Sequence, residues 1–121
     1  MNERGVLTAR QELLDHHFEE YRPIPAEGVW LLRLDFKAWN KRRNRCLICY
    51  FSAEDGRKYK LYTWKQKSGM YGPYRCRYDF SYIRDYSWWK CTIKTASSGY
   101  RSWVDAEPVI RHGMTVFWYD C

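Results

Sequence analysis

An apolar run over residues 46–52 and an alternating run over residues 57–65 flank Glu54-Asp55-Gly56, and the length of that turn constrains the fold more than any other feature of the chain. A three-residue connection with glycine in the left-handed position joins residues 46–52 and 57–65 as a β-hairpin. An odd-length loop pairs Ser52 with Lys58, Tyr50 with Lys60 and Ile48 with Tyr62. It gathers Leu47, Cys49, Phe51, Tyr59 and Leu61 on one apolar face. An even-length loop would set the lysines opposite Phe51 and Cys49 and mix the faces, so the odd one is expected. The other face then exposes Tyr50, Lys58, Lys60, Tyr62 and Trp64.

Period two recurs elsewhere. Over residues 29–39, Trp30, Leu32, Leu34 and Phe36 alternate with Arg33, Asp35 and Lys37, which predicts a half-buried strand. Over residues 88–95, Trp89, Cys91 and Ile93 are expected inward, with Trp88, Lys90 and Lys94 outward. A turn at Ser97-Ser98-Gly99 leads into a strand over 100–106, and a last strand is predicted over 114–119. Between the hairpins, Ser68-Gly69 and Gly72-Pro73 break the pattern, so residues 66–86 read as an ordered aromatic excursion. Upstream, Thr8-Ala9-Arg10-Gln11 has the form of a helix capping box, and Leu7, Leu14, Phe18 and Tyr21 recur on one helical face until Pro23 and Pro25.

The expected organisation is therefore a helical arm over 1–27 and a basic β-barrel domain over 28–121. The fold class is mainly β, a small antiparallel barrel of five or six strands with an N-terminal amphipathic helix. Closure is expected because it removes the strand edges that otherwise aggregate. An SH3-like barrel and an α+β helix-on-sheet fold predict similar strands. A length of 121 residues suits one such domain.

Charge separates the two regions. The net charge is +7, but residues 1–27 hold six acids against three bases, which leaves +10 on residues 28–121. Residues 36–78 alone interleave twelve Lys or Arg with aromatic rings against Glu54 and Asp55. Cations neutralise phosphates and release their counterions, and flat rings stack unpaired bases. No stretch approaches the ~18 apolar residues of a membrane span, and the start lacks the order of a signal peptide, so a cytoplasmic protein with no membrane partner is expected.

Five cysteines, an odd number, suit reduced thiols better than a disulfide framework. Cys46-Leu47-Ile48-Cys49 has C-x-x-C spacing, but residues three apart on a strand point to opposite faces and do not converge on one metal. No metal or cofactor is expected. Catalysis finds no motif either: His16 and His17 lie in the arm and His112 is distant, while Asp79, Asp85, Asp105 and Glu107 show no ligand spacing. The chain is read as a non-enzyme.

The order of a long strand, a basic loop, the hairpin across Glu54-Asp55-Gly56, an excursion and the hairpin over 88–106 resembles the OB-fold of single-strand-binding domains. That resemblance implies a ligand lying across the middle strands, flanked by the first and last inter-strand loops. The positions it marks are Lys58, Lys60, Tyr62 and Trp64 on the sheet, Lys41, Arg42, Arg43 and Arg45 in the first loop, and Lys94 to Arg101 in the last. With Tyr50 and Trp88 these form the candidate nucleic-acid-binding set. The expected function is non-catalytic binding of single-stranded DNA or RNA. The alternative is a protein-binding module, such as a small inhibitor or accessory factor of a nucleic-acid-processing enzyme, since aromatics and arginine also dominate protein hot spots.

Overall fold

The structure, a computed structural model, describes residues 20–40 and 46–109. Five strands form one antiparallel sheet: β1 (Gly28–Asn40), β2 (Cys46–Ala53), β3 (Lys58–Thr63), β4 (Trp88–Thr95) and β5 (Arg101–Val109). Their order across the sheet is β3-β2-β1-β4-β5. Between β3 and β4 a single 3-10 turn, Phe80–Tyr82, interrupts an irregular excursion.

The β2–β3 hairpin has the register its turn length demands, with Ser52 opposite Lys58, Tyr50 opposite Lys60 and Ile48 opposite Tyr62. Gly56 supplies the left-handed conformation at φ 89°, and the Ala53 N–H closes the turn on the Arg57 carbonyl at 2.8 Å. The β4–β5 turn repeats the device with Gly99 at φ 87°. Trp89, Cys91 and Ile93 are buried, while Lys90 and Lys94 face solvent, as alternation requires.

Strand β1 departs from simple alternation. The register with β2 slips between Leu34, opposite Phe51, and Phe36, opposite Tyr50, which leaves Asp35 as an extra residue. Such a bulge transfers every later side chain to the other face. Leu32 and Leu34 enter the core, but Phe36 leaves it and stacks on Tyr50 at 4.5 Å between ring centroids. Lys37, expected on the polar face, turns inward beside Cys49 instead. The bulge is held from the neighbouring chain: Tyr86 N–H donates to the Leu34 carbonyl at 2.5 Å and Leu34 N–H to Ser87 at 2.8 Å. Tyr86 adopts φ 68° to do so, a conformation that costs a non-glycine residue on the order of 1 kcal/mol.

The sheet does not close into a barrel. β3 and β5 are its two edges and do not pair with each other. Other chain covers them in part. Arg22 adds a parallel bridge to β3, donating to the Lys58 carbonyl at 3.0 Å and accepting from Lys60 N–H at 2.9 Å. Lys65 bridges Tyr71, and Arg75 N–H donates to Val104 of β5 at 2.9 Å. The excursion thus fills part of the gap where a closed barrel would have a direct β3–β5 ladder, so edge protection comes from irregular chain. The predicted helix lies outside the described residues except for its end, where Glu20 lies in a turn and Tyr21 is not helical. The strand predicted over 114–119 also lies outside them.

The core lies between the sheet and the excursion, which contributes Tyr71, Cys76, Phe80 and Ile83 to it. Phe80, delivered by the 3-10 turn, packs against Trp89 at 4.7 Å and Trp103 at 5.0 Å between ring centroids, and Trp103 meets Phe51 at 5.5 Å. Pairs of this kind contribute about 0.5–1.5 kcal/mol each beyond their buried area. Lys37 fastens the turn from below: its Nζ donates to the carbonyls of Ile83 at 2.6 Å, Phe80 at 2.9 Å and Ser81 at 3.3 Å. Burial lowers the pKa of this amine from its ordinary value.

Candidate nucleic-acid interface

The hairpin register puts Tyr50, Lys60, Tyr62 and Trp64 on the outer side of the sheet, but the structure divides them. Tyr50 is only 4% exposed, which corrects its assignment to the exposed set. An irregular strap over residues 20–25 covers it: Tyr21 packs edge-on against Tyr50 at 5.1 Å and against Phe36 at 5.7 Å. The Tyr21 hydroxyl donates to Asp35 Oδ2 at 2.8 Å, Ser52 Oγ donates to the same oxygen, and Arg33 pairs with Oδ1 at 3.1 Å. The bulged Asp35 is thus the anchor of the strap. Burial, with the adjacent carboxylate, pushes the Tyr21 phenol well above its ordinary pKa.

Lys58 is also engaged. Its Nζ pairs with Glu20 at 3.0 Å and lies 5.5 Å from the Tyr21 ring centroid. An acidic residue of the arm therefore already sits on one cation of the expected site. Lys60 is half-exposed on the same face. Trp88 faces outward opposite Arg33 and is half-buried. Lys41, Arg42, Arg43 and Arg45 lie outside the described residues.

Tyr62 and Trp64 remain open, at 39% and 46% exposure, with their rings nearly parallel at 6.3 Å. They border a groove of about 730 Å³ between the end of β3 and the start of β5. Its walls include Pro23, Ile24, Tyr74, Tyr100 and Arg101, and the buried Thr63 and Trp103 lie at its base. Tyr74 and Tyr100 are 82% and 68% exposed. Four exposed rings therefore gather at one concavity, with Lys65 and Arg101 as its cations. Arg101 reaches across to the Ile24 carbonyl at 3.4 Å, which fixes the strap against the last turn. Lys94 is exposed on β4 opposite Ser102, a groove residue.

Of the sequence-derived set, the structure brings together Tyr62, Trp64 and Arg101. Tyr100 falls within the last loop that the resemblance marks, whereas Tyr74 and Lys65 lie outside the expected set. Tyr74 follows Gly72-Pro73 and Tyr100 follows Gly99, so each projects from a turn rather than from a strand with a readable period. An aromatic placed directly after a turn signal was the available clue.

Burial sets the protonation of three of the buried cysteines. Cys49 and Cys91 are fully buried thiols whose pKa burial raises far above the ordinary range, and burial pushes Cys76 up to about 11. The thiolate is the nucleophilic form, and burial disfavours it at these three sites. Among the described residues no group of His, Cys, Asp and Glu is placed to hold a metal ion, and no helix is long and apolar enough to cross a membrane. No protein-family model, curated protein or solved structure matches the chain.

Proposed function

We propose that this chain binds single-stranded nucleic acid without catalysing a reaction, and that the groove beside Tyr62 and Trp64 is the seat of binding. The carrying observation is the convergence of four exposed rings, from three separate segments, on one concavity whose rim holds Lys65 and Arg101. Exposed aromatics are costly to leave in water, and stacking on bases is a use that tolerates any sequence. Strand order adds support. The order β3-β2-β1-β4-β5, with a long β1 shared by both neighbours and an excursion between β3 and β4, is an open sheet rather than a closed barrel, and it is compatible with the OB-like reading, in which ligand lies over β2 and β3 and the β4–β5 loop.

Tryptophan fluorescence titrated with single-stranded DNA, single-stranded RNA and duplex at two salt concentrations tests this. Quenching by single strands that weakens with salt is expected. Trp64→Ala is expected to cost about 1–3 kcal/mol of affinity through lost stacking. Arg101→Ala should chiefly flatten the salt dependence. Unchanged affinity in both variants would sink the site. An absence of any response to nucleic acid would favour a protein partner, such as a nucleic-acid enzyme, for which the exposed rings and Arg101 are also suited.

A further inference from the structure

We infer that the groove reads the Watson–Crick edge of an unpaired base through the main chain of Tyr62, so that binding requires base edges free of a pairing partner. The inference rests on the nucleic-acid reading above and adds how a base is held.

It begins with the backbone of β3. Arg22 meets β3 through the Lys58 carbonyl and the Lys60 N–H, at 3.0 and 2.9 Å. Even-numbered residues of this strand therefore turn both main-chain groups away from β2 and toward the open edge. Two residues further on, the N–H and C=O of Tyr62 point the same way. The strap no longer follows the edge at that position: the Ile24 carbonyl, which a continued parallel ladder would bring to the Tyr62 N–H, accepts from Arg101 instead. The excursion reaches the strand again only at the Lys65–Tyr71 bridge. Among the described residues, Tyr62 thus lies between two covers, on the stretch of edge that borders the groove.

The N–H and C=O of one extended residue form a donor beside an acceptor. Each base carries a matching acceptor–donor pair on its Watson–Crick edge: N1 and the N6 amino group of adenine, N3 and the N4 amino group of cytosine, O4 and N3–H of thymine or uracil, and O6 and N1–H of guanine. The match is general, so it favours unpaired over paired bases and does not choose strongly among the four. The surroundings suit the rest of a nucleotide. Tyr74, Tyr100 and Trp64 supply π-faces, Lys65 and Arg101 can meet phosphate, and about 730 Å³ lies within the range of sites that enclose a small organic ligand.

The test compares a short oligothymidylate with the same oligomer carrying N3-methylthymine, which blocks the edge but keeps the ring. Oligodeoxyuridylate, altered only at C5, is the control. Methylation at N3 is expected to weaken binding about tenfold, the worth of roughly one hydrogen bond, and the C5 change to leave it within about threefold. On the protein side, Tyr62→Pro removes the outward N–H at an edge position where proline is tolerated, and it should bind more weakly than Tyr62→Ala. If Tyr62→Pro does not fold, the oligomer comparison decides alone. Equal binding of methylated and unmethylated oligomers, both still dependent on Trp64, would overturn the main-chain contact and leave the nucleic-acid reading standing. Failure of the unmodified oligomer to bind would overturn both.

Discussion

Replacing Lys37 with methionine should loosen the excursion that walls the groove, and the structure supplies the magnitude. The Lys37 ammonium donates to three converging carbonyls, two of them at 2.6 and 2.9 Å and the third at 3.3 Å. Hydrogen bonds to a charged group contribute about 1.5–3 kcal/mol each, so the two short bonds are worth about 3–6 kcal/mol gross. Methionine keeps most of the buried stem and removes the desolvation penalty of the ammonium, which offsets part of the loss. A net destabilisation of about 2–3 kcal/mol follows, or roughly a 10 °C fall in Tm for a chain of this size. Lys37→Arg should also destabilise, because a planar guanidinium cannot replace a point charge at the focus of three acceptors. Urea and thermal unfolding followed by tryptophan fluorescence are the assays, with Lys60→Met on the half-exposed outer face as a control expected within about 0.5 kcal/mol of the parent. A Lys37→Met variant as stable as that control would refute the view that this lysine clamps the 3-10 turn.

Other outcomes follow from the same contacts. Tyr21→Phe removes the hydrogen bond to Asp35 and should cost about 1–2 kcal/mol by urea unfolding. The folded protein holds the Tyr21 phenol above its unfolded pKa, so the parent should lose stability as pH rises from about 10, where the unfolded chain releases that proton first; the phenylalanine variant should lose less, and equal slopes would count against the buried phenol. The Trp103 indole N–H is buried with no hydrogen-bond acceptor among the described residues, and the neighbouring Cys91 thiol is a weak one. Trp103→Phe should therefore cost less than Trp89→Phe, which breaks a 2.8 Å bond to Ser87 Oγ; the reverse order in a thermal melt would refute this. Cys49 and Cys91 should resist iodoacetamide at neutral pH in the native protein and react after unfolding, as read by peptide mass spectrometry; native labelling at either would contradict their burial.

Local rules decided much of this molecule. The turn at Glu54-Asp55-Gly56 set the pairing of Ser52 with Lys58 and of Ile48 with Tyr62, because in a hairpin loop length and register are one geometric fact. Alternation sent Trp89 inward and Lys90 outward for the same local reason. Periodicity failed at Asp35, since the bulge there is stabilised by main-chain bonds from Tyr86 and Ser87, which are distant in sequence. It also failed for Tyr50: its outward direction was correct, but whether an outward ring meets water depends on what crosses it, and Tyr21 does. The groove was legible only in part, through Tyr62, Trp64 and Arg101. Its other rings come from turns, and only the tertiary fold brings the end of β3 and the start of β5 to one groove with them. Strand positions, the faces of unbulged strands and the chemistry of the available residues are thus readable from the chain, because these depend on neighbours along it. Tertiary structure alone decided which of those residues share a surface, because that depends on how distant segments cover or uncover one another.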